Sequence, residues 1–148
     1  MSDRVSASIT IGGTLAPAQF SELASYIADY DLRVEWAGAP FNPTDLPAGE
    51  ALQLFGDQVP WGMFEELEEF CYDENLPYQR CSGSCSGSFG AERIVYDGKT
   101  EPMSFSVDDD DHLVIHAQTI GQLGSMRAIR RYIAGAEIEI PPFKVMEA

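Results

Sequence analysis

Two cysteines in a serine- and glycine-rich loop have a spacing that thiol or metal chemistry could use. The loop reads Cys81-Ser82-Gly83-Ser84-Cys85-Ser86-Gly87, and its Gly-x-Cys-x-Gly core matches the outline of a nucleophile elbow with Cys85 as nucleophile. An elbow lies between a strand and a helix, whereas strands are predicted on both sides of this loop. A zinc site would need a second ligand pair, and the third cysteine, Cys71, is predicted in the core. A flexible loop is therefore the preferred interpretation, and no catalytic residue is assigned.

An acidic run followed by two histidines is the second group that could do chemistry. Asp108 to Asp111 precede His112 and His116, and carboxylates with imidazoles can bind a divalent metal or supply the base of a thiol enzyme. On a strand, the even separation of the two histidines would place them on one face. The run lacks the alternating acids, central glycine and distal glutamate of an EF-hand loop. Hydrated loop charge is the preferred interpretation, so neither a metal nor a cofactor is predicted.

The second predicted helix has an acidic side that no lysine or arginine offsets at helical spacing. The acids on that side are Glu65, Glu66, Glu68, Glu69 and Asp73. The opposite side is apolar and is formed by Met63, Phe64, Leu67, Phe70 and Cys71. Carboxylates one turn apart lie about 5–6 Å from each other, which is comparable to phosphate spacing along a nucleic-acid strand. The five acids are predicted to bind a partner, with a merely solubilising face as the alternative.

Charge is distributed unevenly along the chain, and this limits the choice of partners. The formal net charge is −15, from 24 acidic and 9 basic residues. Residues 1–79 hold 14 acids and two bases, whereas residues 113–136 hold three arginines and no acid. The negative field would repel phosphates, which argues against direct binding of nucleic acid. A basic protein, of the kind found in nucleic-acid-binding complexes, is the expected partner.

Aromatic and basic side chains offer two further candidate contacts. Four aromatic residues are predicted in loops or at the ends of elements, namely Trp36, Phe41, Trp61 and Phe89. Aromatic residues are frequent in binding hot spots, but at such positions they more often close the ends of a core. Arg127 and Arg131 lie one turn apart near the end of a predicted helix, where the helix dipole favours them. They are predicted to contact either a partner or the acidic half of the chain.

Hydrophobic periodicity predicts that strands and helices alternate along the chain. Two strand–helix–strand units are predicted first, at 7–11, 18–30 and 32–36, then at 51–55, 61–74 and 78–81. Phe20 aligns with Phe64 at an offset of 44 residues. This alignment indicates either an internal repeat or a chance similarity between two amphipathic helices.

The rest of the chain is predicted to hold a β-hairpin and a third strand–helix–strand unit. Their elements are expected at 92–96 and 103–107, and then at 113–115, 121–134 and 138–140. The predicted fold is α/β, or α+β, with repeated βαβ units in a ferredoxin-like sandwich whose helices pack on a mainly antiparallel sheet. One compact domain is expected over 1–148, with units at 5–37, 50–81, 91–107 and 112–141.

Several classes of protein are disfavoured by the sequence. No apolar run approaches the roughly 20 residues that a membrane span needs. Met1 to Thr10 lacks the basic start and apolar core of a signal peptide, so a cytoplasmic location with reduced thiols is expected. The glycine-rich phosphate loops, the HExxH motif and zinc-finger spacing are all missing.

The leading functional prediction is a non-enzymatic protein that binds another protein. Its sharper form is a nucleic-acid mimic: an acidic inhibitor of a host nuclease or defence complex, of the anti-CRISPR or anti-restriction type carried by phages and mobile elements. The first alternative is a small enzyme that uses the Cys85 loop or the Asp108–His116 segment. The second is a small-molecule binding module on the open face of the sheet.

Overall fold

The computed structural model describes residues 4–36, 38–44, 46, 49–84 and 90–146. Strands are present at β1 (Arg4–Ile11), β2 (Gly13–Leu15), β3 (Leu52–Pro60), β4 (Tyr78–Ser82), β5 (Glu92–Tyr96), β6 (Met103–Ser106) and β7 (Phe143–Val145). Helices are present at α1 (Pro17–Asp29), α2 (Glu65–Asp73), α3 (Ala117–Leu123) and α4 (Met126–Ala136). In these ranges five strands form a sheet in the order β3-β1-β4-β5-β6, with every neighbouring pair antiparallel. The predicted α+β class, with helices on a mainly antiparallel sheet, is therefore confirmed.

Strand β1 buries every second side chain because apolar and polar residues alternate along it. Ala7, Ile9 and Ile11 are buried against the apolar sides of α1 and α2. The residues between them, such as Ser8 and Thr10, point to the opposite face of the sheet. One face of the sheet thus carries the main core and the other is polar at this strand.

Helices α1 and α2 bury equivalent residues, as the offset of 44 predicts. Leu23 and Leu67 are both 0 % exposed, and the next aligned pair, Ile27 and Cys71, is also buried. The two helices therefore pack residues at equivalent positions, 44 residues apart, against the sheet. The burial agrees with an internal repeat.

The same two helices end in the same geometry. Asp31 and Asn75 follow the helices with φ of 53° and 57°, in the left-handed region that asparagine and aspartate tolerate. The amides of Leu32 and Leu76 then donate to the carbonyl five residues earlier, at 3.2 and 2.8 Å. This is a Schellman ending, and it turns the chain back toward the sheet at both places.

The strand predicted at 32–36 is reduced to isolated bridges. Arg33 pairs with Phe55 of β3 and with Pro40, both antiparallel, and no described strand covers this segment. The turn that follows and the proline at position 40 prevent a longer ladder, because proline has no amide hydrogen to donate. The ferredoxin-like arrangement needs a strand here, so it stays a prediction.

The hairpin is confirmed, while the elements of the C-terminal unit differ from the prediction. Strands β5 and β6 pair antiparallel from Glu92 with Ser106 to Val95 with Met103. The strand predicted at 113–115 is a single bridge between Leu113 and Val107. No described strand covers 138–140 either. The chain instead forms β7 after two prolines, parallel to β2.

One predicted helix at 121–134 is in fact two. Gly124 has φ of 78° and ends α3, since glycine adopts this conformation without steric cost. Ser125 then begins α4 by accepting a hydrogen bond from the amide of Ala128 at 3.1 Å. Helix α4 runs two residues beyond the predicted end, through Gly135 to Ala136. Within the described residues, no helix is long and apolar enough to cross a membrane.

Candidate functional site

Helices α1 and α2 lie side by side and form one layer over the core. Tyr26 contacts Phe70 with ring centroids 5.6 Å apart, and Tyr30 meets Phe64 edge-on at 5.5 Å. Aromatic pairs in such tilted or edge-on arrangements stabilise beyond their buried area, by about 0.5–1.5 kcal/mol. The two helices therefore present their outer sides as a continuous surface.

That surface is acidic, and we call it the acidic layer. It comprises the exposed carboxylates of the two helices, namely Glu22, Asp29, Glu65, Glu66, Glu69 and Asp73. Neither α1 nor α2 contains a lysine or an arginine. Nearby, Arg33 is paired with Asp31 at 2.9 Å, so its charge is already occupied. The layer thus combines several negative charges with no cation of its own.

Glu66 joins the two helices at the centre of the acidic layer. The hydroxyl of Tyr30 donates to Glu66 Oε2 at 2.7 Å, and the backbone amide of Glu66 donates to the same hydroxyl at 3.2 Å. Burial, together with the Glu66 carboxylate, raises the pKa of Tyr30 to about 12. The Glu66 carboxylate is therefore held in position by Tyr30 on an exposed part of the surface.

Glu68 does not share the surface on which the other four predicted partner-binding acids lie. Its carboxylate is only 12 % exposed and lies 3.1 Å from the guanidinium of Arg80, which extends from β4. It also accepts a hydrogen bond from the backbone amide of Phe64 at 2.8 Å, at the start of α2. Burial raises its pKa, and the Arg80 charge opposes that rise. Glu65, Glu66, Glu69 and Asp73 remain exposed on the surface.

Arg80 connects the helix layer to three strands, and sequence reasoning did not single it out. Its guanidinium also donates to Ser82 and to Glu92 of β5, both at 3.0 Å, and Glu92 accepts from Ser104 of β6 at 3.0 Å. A signal was present in the sequence. Strand alternation places Arg80 on the same face as buried Tyr78, where only a paired arginine is stable.

A second buried arginine occupies the opposite face of the sheet. Arg93 of β5 is bound by Asp111 through both a carboxylate oxygen at 2.9 Å and the backbone carbonyl at 2.7 Å. It also donates to the carbonyl of Ala136 at 2.9 Å and lies 3.2 Å from Glu137. Through these contacts Arg93 connects the 108–111 loop and the end of α4 to the sheet. Its role is structural, since every donor is directed to a group of the chain itself.

The first part of the Asp108–His116 segment forms a turn that is stabilised by hydrogen bonds within the segment. Asp108 accepts hydrogen bonds from the amides of Asp110 and His112 at 2.9 and 2.8 Å, and these bonds lower its pKa, that from His112 most strongly. Asp108, Asp110 and His112 offer ligand atoms within 4.8 Å of one another, so they could together hold a cation, but all three are exposed. His116 begins α3 and stands apart, so the two histidines do not share a strand face.

The described cysteines are poorly suited to nucleophilic chemistry. Cys71 is buried in the core, as predicted, and burial raises the pKa of its thiol. Burial likewise raises the pKa of Cys81, whose sulfur lies 3.6 Å from Asp111 Oδ2. Cys85, the predicted nucleophile, lies outside the described residues, as does Phe89.

The polar face of the sheet bears a shallow trough beside Cys81. It has a volume of about 400 Å³, and its floor is made of short polar side chains of β1, including Ser8 and Thr10. Trp36 lines one side and contacts Phe55 at 4.7 Å between ring centroids. The other candidate aromatics differ: Phe41 packs on the core, whereas Trp61 is 46 % exposed. The trough is not the deep apolar cavity that a small-molecule module would have.

Comparisons with known proteins supply no further assignment. The chain matches no protein-family model, no curated protein and no solved structure. The arrangement of side chains is therefore the basis for any functional conclusion. Among the described residues, the acidic layer is a surface of uniform charge whose two helices contain no neutralising cation.

Proposed function

We propose that this chain is an acidic protein-binding protein whose acidic layer docks on a basic protein surface. One observation carries the proposal: two adjacent helices expose six carboxylates and contain no basic residue. Like charges at helical spacing repel by a few tenths of a kcal/mol per pair, so the layer is unfavourable for the isolated chain. A basic partner would relieve this repulsion and would be steered toward the layer over a Debye length of about 8–10 Å.

The partner that fits best is a protein that normally binds nucleic acid. Such proteins present arginine and lysine in rows that match phosphate spacing, and exposed carboxylates on a helix repeat at a similar distance. By occupying that basic surface, the chain would act as a nucleic-acid mimic and an inhibitor of a nuclease or defence complex. This proposal includes a cytoplasmic location and an origin in a phage or mobile element, where such inhibitors act.

The enzyme and small-molecule alternatives have less support from the geometry. Burial raises the pKa of the Cys81 thiol, which disfavours the thiolate, the form that attacks. His112 is paired with Asp108 at 3.3 Å but is 77 % exposed. A general base usually acts within a cleft that excludes water, and His112 is not part of the trough lining.

The test is a layer variant that neutralises the four acidic-layer carboxylates of α2 without disturbing the buried ion pair. It carries Glu65→Gln, Glu66→Gln, Glu69→Gln and Asp73→Asn, and it keeps Glu68, whose carboxylate holds Arg80. The wild-type chain is first used to capture a basic partner from host lysate at low salt. Displacement of a fluorescent DNA duplex from the purified partner is then measured. Wild type is expected to displace the duplex, and the variant to be weaker by about tenfold or more.

A matched control removes the same charge from loops and strands outside the layer. It carries Glu35→Gln, Glu50→Gln, Asp57→Asn and Asp110→Asn, all at exposed positions. The control should displace the duplex nearly as well as wild type does. Equal displacement by a folded layer variant and by the control would show that net charge, and not the layer, is recognised. That result would overturn the proposal.

A further inference from the structure

Helices α3 and α4 leave three of their large apolar side chains exposed. Across both helices only Ala136 is buried. Ile120, Met126 and Ile133 are 44 %, 61 % and 37 % exposed. Exposed apolar groups gathered on one pair of helices mark an interaction surface, whereas scattered ones are ordinary.

Helix α4 contacts the sheet near its C-terminal end. Tyr132 packs edge-on against Phe105 of β6 with centroids 5.1 Å apart, and Arg93 donates to the carbonyl of Ala136 at 2.9 Å. Met126, at the start of the helix, is the most exposed of its apolar residues. Met126 and Ile133, two turns apart, therefore form an exposed apolar stripe along α4.

Helix α4 is basic, whereas the segment that follows it is acidic. Arg127, Arg130 and Arg131 make no ion pair with any described residue, and the helix contains no acid. Glu137 and Glu139 follow directly after the helix; Glu137 is held by Arg93, while Glu139 is exposed. A second α4 lying antiparallel would place the basic start of each helix beside the acidic end of the other. Antiparallel helix dipoles favour the same orientation.

We propose that the α3–α4 pair is a self-association surface at which two copies of this chain pack their α4 helices antiparallel about a two-fold axis. Met126 and Ile133 of each copy bury against the apolar stripe of the other, and Arg127 of each lies near Glu139 of its partner. A two-fold contact is closed, so it stops at a dimer. Because α1 and α2 cover the other face of the sheet, the dimer leaves both acidic layers open.

The experiment is sedimentation equilibrium of the full chain from about 5 µM to about 500 µM, a range that reports weak dimers. Wild type is expected to pass from monomer to dimer across this range. The variant Met126→Glu/Ile133→Glu should raise the dimer dissociation constant by about tenfold or more. Its control, Val34→Glu/Met63→Glu, adds the same charge at residues 42 % and 40 % exposed elsewhere and should dimerise like wild type. Circular dichroism verifies that both variants are folded.

A charge swap tests the antiparallel orientation. Arg127→Glu and Glu139→Arg should each weaken the dimer, and the double variant should recover it. A wild-type chain that stays monomeric throughout the range overturns the proposal. Assembly into species larger than a dimer also overturns it, if those larger species are absent in the layer variant. That result would mean that α4 of one copy contacts the acidic layer of the next, head to tail. Binding of α4 to phosphatidylserine vesicles without self-association would overturn it as well.

Discussion

Arg80 is almost completely buried, and its guanidinium contacts two carboxylates from different elements. Glu68 lies 3.1 Å away on α2, and Glu92 lies 3.0 Å away on β5. A buried charge is stable only where its partners replace the lost hydration, so removing one partner costs more than the pair contributes. This residue therefore sets how α2 sits on the sheet beneath the acidic layer.

Replacing Arg80 with methionine should lower the free energy of unfolding by about 3–5 kcal/mol, because the Glu68 carboxylate is left buried without a counter-charge. Adding Glu68→Gln should recover about 1–3 kcal/mol of that loss. Arg127→Met, at an exposed arginine, should change stability by less than about 0.5 kcal/mol. Urea unfolding followed by circular dichroism measures all three. A loss below about 1 kcal/mol in the single variant would contradict this account.

At the scale of elements, the β5–β6 hairpin shows how a single side chain can form a turn. Asp97 Oδ1 accepts hydrogen bonds from the amides of Lys99 and Thr100, both at 2.8 Å. These bonds are strongest to the ionised carboxylate, and they lower the pKa of Asp97 below its ordinary value of 3.8. The loop therefore depends on the charge of one residue.

The sign of the pH dependence follows from that lowered pKa. The stabilisation is present above the ordinary pKa of aspartate and is lost as pH falls through the lower pKa of the folded state. The stability difference between wild type and Asp97→Ala should accordingly shrink as pH falls from about 5 to about 2. Denaturant unfolding at each pH measures it, and an NMR titration assigns the carboxyl. A difference that stays constant, or an Asp97 pKa at or above 3.8, would refute the role.

At the scale of the whole molecule, the two faces of the sheet carry different helices. The helix layer of α1 and α2 is acidic on one face, and α4 with its three arginines lies over the other. Six of the 24 acids lie in the acidic layer, on two helices that contain no lysine or arginine. Concentrated charge repels itself in the folded state, and dissolved salt screens that repulsion.

Added salt should therefore stabilise this chain. Raising sodium chloride from about 0.02 M to about 0.5 M should raise the melting temperature, because the Debye length falls below the distance between neighbouring carboxylates. The layer-neutralised variant should show a smaller rise than the control variant with the same net charge. Differential scanning fluorimetry makes the comparison. Equal rises in the two variants would place the repulsion outside the acidic layer.

Much of the element order was predictable from local pattern. Leu23 and Leu67 recur in amphipathic helices that bury one side, and alternation of apolar and polar residues identified β1 and the hairpin strands. The break at Gly124 and Ser125 was readable too, since glycine ends helices and serine begins them. The strands predicted at 32–36, 113–115 and 138–140 are not present as strands, because alternation alone does not supply a neighbouring strand to hydrogen-bond with.

The sequence by itself determined the net acidity, the presence of two similar amphipathic helices and the acidic residues along α2. Only the tertiary structure decided which of those acids face solvent. Glu68 is directed inward because the register of β4 places Arg80 beneath it, and a buried arginine requires a carboxylate. The tertiary structure also decided that the acidic sides of α1 and α2 lie next to each other. That arrangement depends on contacts between residues far apart in the chain, such as Tyr30 with Glu66. Long-range contacts of this kind leave no periodic trace in a single sequence.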